Sequence, residues 1–343
     1  MKKTTLNFST ASTTYYFDAS FDYLEKLVSR ENTFIITDEN IFNSNKRKFK
    51  GWKIIVVNPG EEHKTQATVD NIIGQLVEAG ANRKSCIVGV GGGVITDMAG
   101  YVAGIYMRGV QFGFVPTSIL AMVDASIGGK NGVDVGVYKN MVGLIRQPSF
   151  LLYDYSLLKS LPKGEWINGF AEIIKHACIK DAAMFKLLEQ YKLQDFQKDK
   201  VLLNKLIQRN ALLKSKVVQQ DEFENGDRKL LNFGHTLGHA IENTYKLPHG
   251  HAVSIGMVIA AYISRDMLGL KDADKIAFLI VKYGLTAFFK FNANKALEMM
   301  KSDKKAFNKE IHYVLLEKIG KGVVKPLSLE QIAPVVQQLA LNS

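Results

Sequence analysis

The sequence predicts an α/β domain followed by an all-α domain. Three observations carry that expectation. Short β-branched runs alternate with amphipathic stretches in the first half, strand signals nearly vanish after Pro162, and long helical patterns follow. A length of 343 residues suits two domains. The boundary falls between residues 155 and 165, giving domains 1–160 and 161–343.

In the first half, Thr33–Thr37, Lys53–Val57, Cys86–Val90 and Phe112–Val115 read as strands. Between the second and third, Ala67–Ala79 places Val69, Ile72, Ile73 and Leu76 at helical spacing. The alternation predicts a parallel sheet, and ligands bind outside the carboxyl ends of such strands. Three of these ends carry polar loops. Thr37-Asp38-Glu39-Asn40 offers an acid for a ribose hydroxyl, and Asn58-Pro59-Gly60-Glu61 brings Glu61 and Lys64. The third, in CIVGVGGGVITDMAGYVAG, runs into Gly91-Gly92-Gly93 with Asp97 early in the following helix. Glycines let a backbone approach a ligand, and a helix N-terminus favours a pyrophosphate. The G-x-G-x-x-G pattern is not met, because Val94 or Thr96 occupies the third glycine position. A plain tight strand–helix turn therefore stays open.

Pro116-Thr117-Ser118 reads as a helix start with capping hydroxyls. Asp124, Lys130, Lys139 and Asn140 follow in a glycine-rich region where Val133, Val135 and Val137 alternate like a short hairpin. Arg108, Lys130 and Lys139 could serve an anion or be solvated surface charge.

The second half shows helical patterns at Gly169–Tyr191, Val201–Val218, Leu237–Tyr245, Ala252–Leu268 and Asp274–Tyr283. On the first, Glu172, Lys175 and His176 share a face, so Glu172 is either a metal ligand or an ion-pair partner of Lys175. Lys214, Lys216 and Arg228 flank the acidic DEFENGD segment. The stretch Arg228–His251, RKLLNFGHTLGHAIENTYKLPHGH, holds His235, His239, His249 and His251 of the seven histidines, with Asn232 and Glu242. His235 and His239, four apart, face one side of a helix. Two imidazoles and a carboxylate leave the open position of a catalytic zinc. Capping or core histidines are the alternative.

Composition narrows the setting. An apolar content of 47% and a charged content of 22% are those of a soluble globular protein. No apolar segment follows the N-terminal lysines, so no secretory signal is expected, and Ala252–Ile263 is too short to span a bilayer. Cys86 and Cys178 have no metal or redox spacing, which suits a cytoplasmic protein with buried thiols. The net charge of +11 is scattered, and the clusters Lys46–Arg47–Lys48 and Lys304–Lys305 lack interleaved aromatics. That pattern fits an anionic small substrate better than nucleic acid.

Several segments, in order, are similar to the signatures of one family. GGGVITD, YMRGV, PTSILAMVDASIGGKNGVD, YKNMVG, NGFAEIIKH, LNFGHTLGHAIE and HGHAVSIGM resemble those of the 3-dehydroquinate synthase family, over about Asp38 to Gly320. The resemblance implies a Rossmann-like domain that binds NAD, a helical domain that binds Zn2+ (or Co2+), and a homodimer. The implied reaction converts 3-deoxy-D-arabino-heptulosonate 7-phosphate to 3-dehydroquinate and phosphate, the second step of the shikimate pathway. It proceeds by oxidation, phosphate elimination, reduction, ring opening and aldol closure.

The resemblance further implies Glu172, His235 and His249 as metal ligands, which moves His239 from the metal to the substrate phosphate. For NAD it implies Asp38, Asn40, Glu61, Lys64, Gly91, Gly92, Gly93, Asp97, Thr117, Ser118, Asp124, Lys139 and Ser160. Ser118 and Ser160 stand where threonine is common. For substrate it implies Arg108, Asp124, Lys130, Asn140, Lys175, Lys214, Arg228, Asn232, His239 and Lys305 of the Lys304–Lys305 pair. Lys130, Asn140, Lys175, Arg228 and His239 are the expected catalytic residues. His251 departs from the family's HGEAV. It either supports the metal site from outside, as that glutamate would, or competes with His249, and His249 is favoured.

Overall fold

A computed structural model describes residues 1–136, 138–302 and 311–341. Lys304 and Lys305 lie outside the described residues. By its internal contacts the chain divides into two compact units, Met1–Trp166 with Asn204–Phe223, and Ile167–Leu203 with Glu224–Ser343.

The first unit contains β1 (Lys2–Asn7), β2 (Ser12–Phe17), β3 (Thr33–Asp38), β4 (Lys53–Val57), β5 (Cys86–Gly91), β6 (Gln111–Pro116), β7 (Lys130–Val135), β8 (Tyr138–Ile145) and β9 (Phe150–Tyr153). Seven of these form one sheet in the order β1-β2-β9-β6-β5-β3-β4. The expected parallel sheet needs one correction: β1 runs antiparallel to β2, while every other pairing in the sheet is parallel. Of the four strands read from sequence, β3, β5 and β6 lie inside the sheet and β4 forms its edge beside β3. β3 and β5 are buried at every residue, so they appear as continuous β-branched runs. The others carry weaker signals: β1 is a largely exposed polar edge and β9 only four residues long. Helices α1 (Glu39–Ser44), α2 (Gln66–Glu78) and α3 (Gly93–Ile105) connect the strands, and Val69, Ile72 and Leu76 form the buried stripe of α2. β7 and β8 make the expected hairpin, antiparallel from Lys130↔Ile145.

Asn204–Phe223 joins the first unit because its polar side chains are partnered there. Tyr155 donates to Asn204 Oδ1 at 2.8 Å, Tyr15 and Ser215 share a 2.8 Å hydrogen bond, and Gln147 donates to Glu222 at 2.8 Å. A single cut after Ser160 would separate these pairs.

The second unit draws on α4 (Lys163–Lys180), α5 (Ala182–Gln190), α6 (Leu193–Lys198), α8 (His235–Tyr245), α9 (His249–Leu268), α10 (Ala273–Lys282), α11 (Ala293–Ser302) and α12 (Leu329–Leu341), whereas α7 (Lys200–Gln220) belongs to the first unit from Asn204 onward. The pattern read as one helix over Gly169–Tyr191 breaks at Asp181, whose carboxylate caps α5 by accepting from Met184 N at 3.0 Å. The unit is helical but not purely so. The antiparallel pair β10 (Ile311–Lys318) and β11 (Lys321–Leu327) is added, turning at Gly320 with φ 84°. Ser264 of α9 anchors it by accepting from Leu316 N at 2.9 Å. Among the described residues, no helix is long and apolar enough to cross a membrane.

Asp154, 5% exposed, ties three parts of the first unit together. It accepts from Phe21 N, Lys48 Nζ and Ser156 N, each at 2.9 Å. Burial opposes its charge, but the hydrogen bonds from Ser156 and Lys48 outweigh burial and lower its pKa. A depressed carboxyl contributes stability above its unfolded pKa of about 3.9, and that contribution is lost as pH falls through the folded value. Asp154→Asn is therefore expected to lower the Tm at pH 7, with the gap to wild type closing below about pH 4. Thermal scans across pH check this, and a gap independent of pH would contradict it.

Candidate active site

The chain leaves β3 for β4 on one side and reaches β5 on the other, so the sheet order reverses between β3 and β5. This is where open α/β sheets hold ligands. Asp38 closes β3, caps α1 by accepting from Ile41 N at 2.9 Å, and has its pKa raised by burial. Asn40 follows in the first turn of α1. Across the reversal, β5 ends at Gly91 and Gly92 caps α3, which begins at Gly93. A side chain on Gly91 would press on Ile95 at 2.5 Å, so this glycine serves the tight turn itself. A Cβ on Gly92 would meet only Ser118, in ordinary contact at 3.5 Å, beside the open amides of the first turn of α3. Thr117 N donates to Gly91 O at 2.9 Å, and Ser118 Oγ accepts from Ala121 N at 3.2 Å. An acid at a strand end and free helix amides across from it fit a dinucleotide.

A closed ring of hydrogen bonds joins the helix after the glycine turn to the β7–β8 hairpin. Lys64, 3% exposed, pairs with Asp97 of α3 at 2.6 Å and donates to Asn140 Oδ1 at 2.6 Å. The Lys64 carbonyl accepts from Asp134 N at 2.9 Å, and the Asp134 carboxylate accepts from Asn140 N at 2.7 Å. Asn140 is thereby held at φ 55°, in the left-handed region. Burial opposes the Lys64 charge, but Asp97 and Glu61 outweigh it and raise its pKa. Lys139 lies 3.9 Å from Glu61. Asp134 was not singled out from sequence, because its part in the ring is visible only once the hairpin closes.

Other candidates in this unit are less gathered. Lys214 pairs with Asp124 at 2.9 Å, which places it with the α/β unit. Arg108 has φ 66° directly after Met107 at 51°, a strained pair at the end of α3. Lys130 opens β7, and Ser160 bonds locally to Leu157 O at 3.3 Å.

In the helical unit, three side chains from three helices converge. Glu172, fully buried in α4, lies 3.6 Å from His235 Nε2 and 3.5 Å from His249 Nε2. One ligand atom from each lies within 4.8 Å of the others. Two imidazole nitrogens and a buried carboxylate fit a divalent cation that keeps an open position. Glu172 also pairs with Lys175, so both readings of Glu172 describe the same carboxylate. Burial and the Lys175 charge push the pKa of His235 well down, keeping it neutral as a ligand must be. Burial also opposes charge on His249, but Glu172 and Glu242 outweigh it and raise its pKa to about 10.

His239, an exposed residue, stands beside this cluster with its ring centroid 5.2 Å from that of His235. Arg228, 2% exposed, and Asn232 lie on the short helix Asp227–Asn232, and Asn232 donates to Glu224 at 2.6 Å. Small residues set the convergence. Gly234, at φ 81°, precedes His235, and a Cβ there would press on Met257 N at 2.8 Å, while one on Gly256 would overlap Gly234 O. Asn168 of α4 accepts from Gly250 N and so fixes the start of α9 beside His249.

Comparisons with known proteins now bear on this arrangement. The 3-dehydroquinate synthase N-terminal profile matches residues 54–168 and the C-terminal profile matches 169–306. A 3-dehydroquinate synthase of Campylobacter jejuni subsp. doylei is 38% identical over 334 residues, covering 92% of this chain and 95% of its own. The chain belongs to the 3-dehydroquinate synthase family. It is an enzyme. A Pyrococcus abyssi member is 40% identical over 289 residues, covering 83% of this chain and 85% of its own. A structure of 2-deoxy-scyllo-inosose synthase complexed with carbaglucose-6-phosphate, NAD+ and Co2+ aligns with TM-score 0.85 at 25% identity, covering 98% of this chain and 99% of its own.

Within the 3-dehydroquinate synthase family pattern, His251 is the departure. Its Nδ1 lies 2.8 Å from Thr286 Oγ1, and burial lowers its pKa. It is not in the Glu172–His235–His249 group. His251→Ala is expected to retain metal close to wild type, whereas His249→Ala loses it. Metal content of the two purified variants decides, and the reverse pattern would move the ligand to His251.

Proposed function

We propose that this chain converts 3-deoxy-D-arabino-heptulosonate 7-phosphate to 3-dehydroquinate and phosphate, acting in the shikimate pathway with catalytic NAD and a divalent metal. The observation that carries the reading is the Glu172–His235–His249 convergence in a chain of this family. NAD would be held by Asp38, Asn40, Glu61, Lys64, Gly91 to Gly93, Asp97, Thr117, Ser118, Asp124, Lys139 and Ser160. When bound, the cation supplies Lewis acidity and NAD takes and returns a hydride.

The chain's own residues supply the rest. Arg108, Lys130, Lys175, Lys214, Arg228 and Lys305 are the cations for a substrate with a phosphate and a carboxylate; buried Arg228 offers a fixed fork for one of them. Asn140 and Asn232 donate amide hydrogen bonds that orient the ring hydroxyls. His239, exposed and next to the cluster, holds or moves a proton at the phosphate-bearing end. The same reading includes a homodimer working in the cytoplasm.

The competing substrates are phosphosugars without a carboxylate. Phosphate release is expected from the heptulosonate phosphate and at least about 100-fold slower from glucose 6-phosphate, because a site built for an anion leaves buried donors unpaired without it. Equal rates would point to a different cyclase of the superfamily.

A further inference from the structure

We propose that Glu242 is a positioning residue for the metal: its carboxylate orients His249 and strengthens it as a ligand. The inference rests on the reading of Glu172, His235 and His249 as the metal ligands. Both imidazoles turn Nε2 towards Glu172 and Nδ1 towards an acceptor. For His235 that acceptor is the Phe233 carbonyl at 3.2 Å, and for His249 it is Glu242 Oε2 at 3.3 Å. With a cation bound at Nε2, the proton left on each ring is the one on Nδ1, where a carbonyl or an ionised carboxylate accepts it.

The two histidines differ in how they are held. His235 belongs to α8, where His235, His239 and Glu242 fall at i, i+4 and i+7 on one face. His249 opens α9, so no preceding helical turn restricts its ring, and Lys246 at φ 52° and Pro248 separate it from α8. Glu242, 6% exposed, spans that break and ties the ring back to the α8 face. A buried carboxylate on Nδ1 also makes the imidazole a better donor than a neutral carbonyl would.

The helical unit also offers a competing arrangement. Ligand atoms of His239, Glu242 and His249 also lie within 4.8 Å of one another, with Glu242 as a direct ligand. The two differ in what each carboxylate does.

Co2+ affinity, read from its visible absorption and by chelator competition, separates them in Glu242→Gln, Glu242→Ala and Glu172→Gln. Each apo-protein is checked by its Tm and by NAD binding. The proposal expects both Glu242 variants to bind Co2+ about 10- to 100-fold more weakly with NAD affinity kept, the range found for outer partners of a ligand. Glu172→Gln is expected to lose more than either. Affinity within twofold of wild type in both Glu242 variants, with Glu172→Gln defective, overturns the role of Glu242 and leaves the ligand set standing. Loss of Co2+ from both Glu242 variants but not from Glu172→Gln overturns the ligand set itself.

Discussion

Glu172→Gln is expected to strip the helical unit of its divalent metal and to lower kcat/KM on the order of 10^3-fold. The carboxylate is fully buried and lies between His235 and His249 at 3.6 and 3.5 Å, so it is the only anion among the three proposed ligands. Glutamine keeps the shape but not the charge. Metal affinity should therefore fall by more than the roughly 100-fold that loss of an outer hydrogen bond can cost. Losing several kcal/mol of Lewis-acid stabilisation sets the scale of the rate effect. The change also breaks the pair with Lys175, a residue 2% exposed, so a stability loss of about 3–5 kcal/mol accompanies it. Metal analysis of the folded protein reads the first effect, and a denaturant titration reads the last. Full metal content in Glu172→Gln would remove this residue from the ligand set.

Gly256→Ala is the second change with a large expected effect, although it touches no proposed ligand. A Cβ on Gly256 would overlap the Gly234 carbonyl, a backbone atom rather than the end of a flexible side chain, so the backbone itself must shift. One added methyl in such a contact costs about 1–3 kcal/mol, at times more. The strain falls directly before His235, so a metal affinity about tenfold weaker is expected with the loss of stability. A contrast is Gly74→Ala in α2, where an added Cβ meets nothing and helix propensity predicts a gain of up to about 1 kcal/mol. Equal stabilities for Gly256→Ala and wild type would show that the α8–α9 contact is looser than drawn.

How much of this was legible in the sequence depends on which force left a mark there. Strands β3 and β5 were readable because burial on both faces demands β-branched runs, and the edge strand β4, KIIVV, is β-branched nearly throughout. The edge strand β1 is solvated and polar, and β10–β11 depends on anchoring through Ser264, so neither imposes a distinctive pattern. The histidines were conspicuous, but HxxxH spacing alone favours pairing His235 with His239. Only folding brings Glu172 from α4 and His249 from the start of α9 to the Nε2 side of His235. The family resemblance supplied that ligand set, and the helical unit brings the same three residues together. Asn168 and Asp134 leave no chemical signature, since each acts by accepting from a backbone amide. The Gly-rich segments LNFGHTLGH and SIGM did hold the clue, because glycines inside otherwise good helix patterns often mark close backbone approach. Lys214 looked like part of the helical domain because α7 is one continuous helix, yet its pair with Asp124 lies in the α/β unit.

The most direct test of the proposed activity is phosphate release from 3-deoxy-D-arabino-heptulosonate 7-phosphate by the metal-loaded enzyme, with NAD at about one-hundredth of the substrate concentration. Because the hydride is returned in each cycle, many phosphates are expected per NAD with no steady rise in NADH absorbance. Phosphate limited to one equivalent per NAD, with NADH accumulating in step, would contradict the account and identify a dehydrogenase instead.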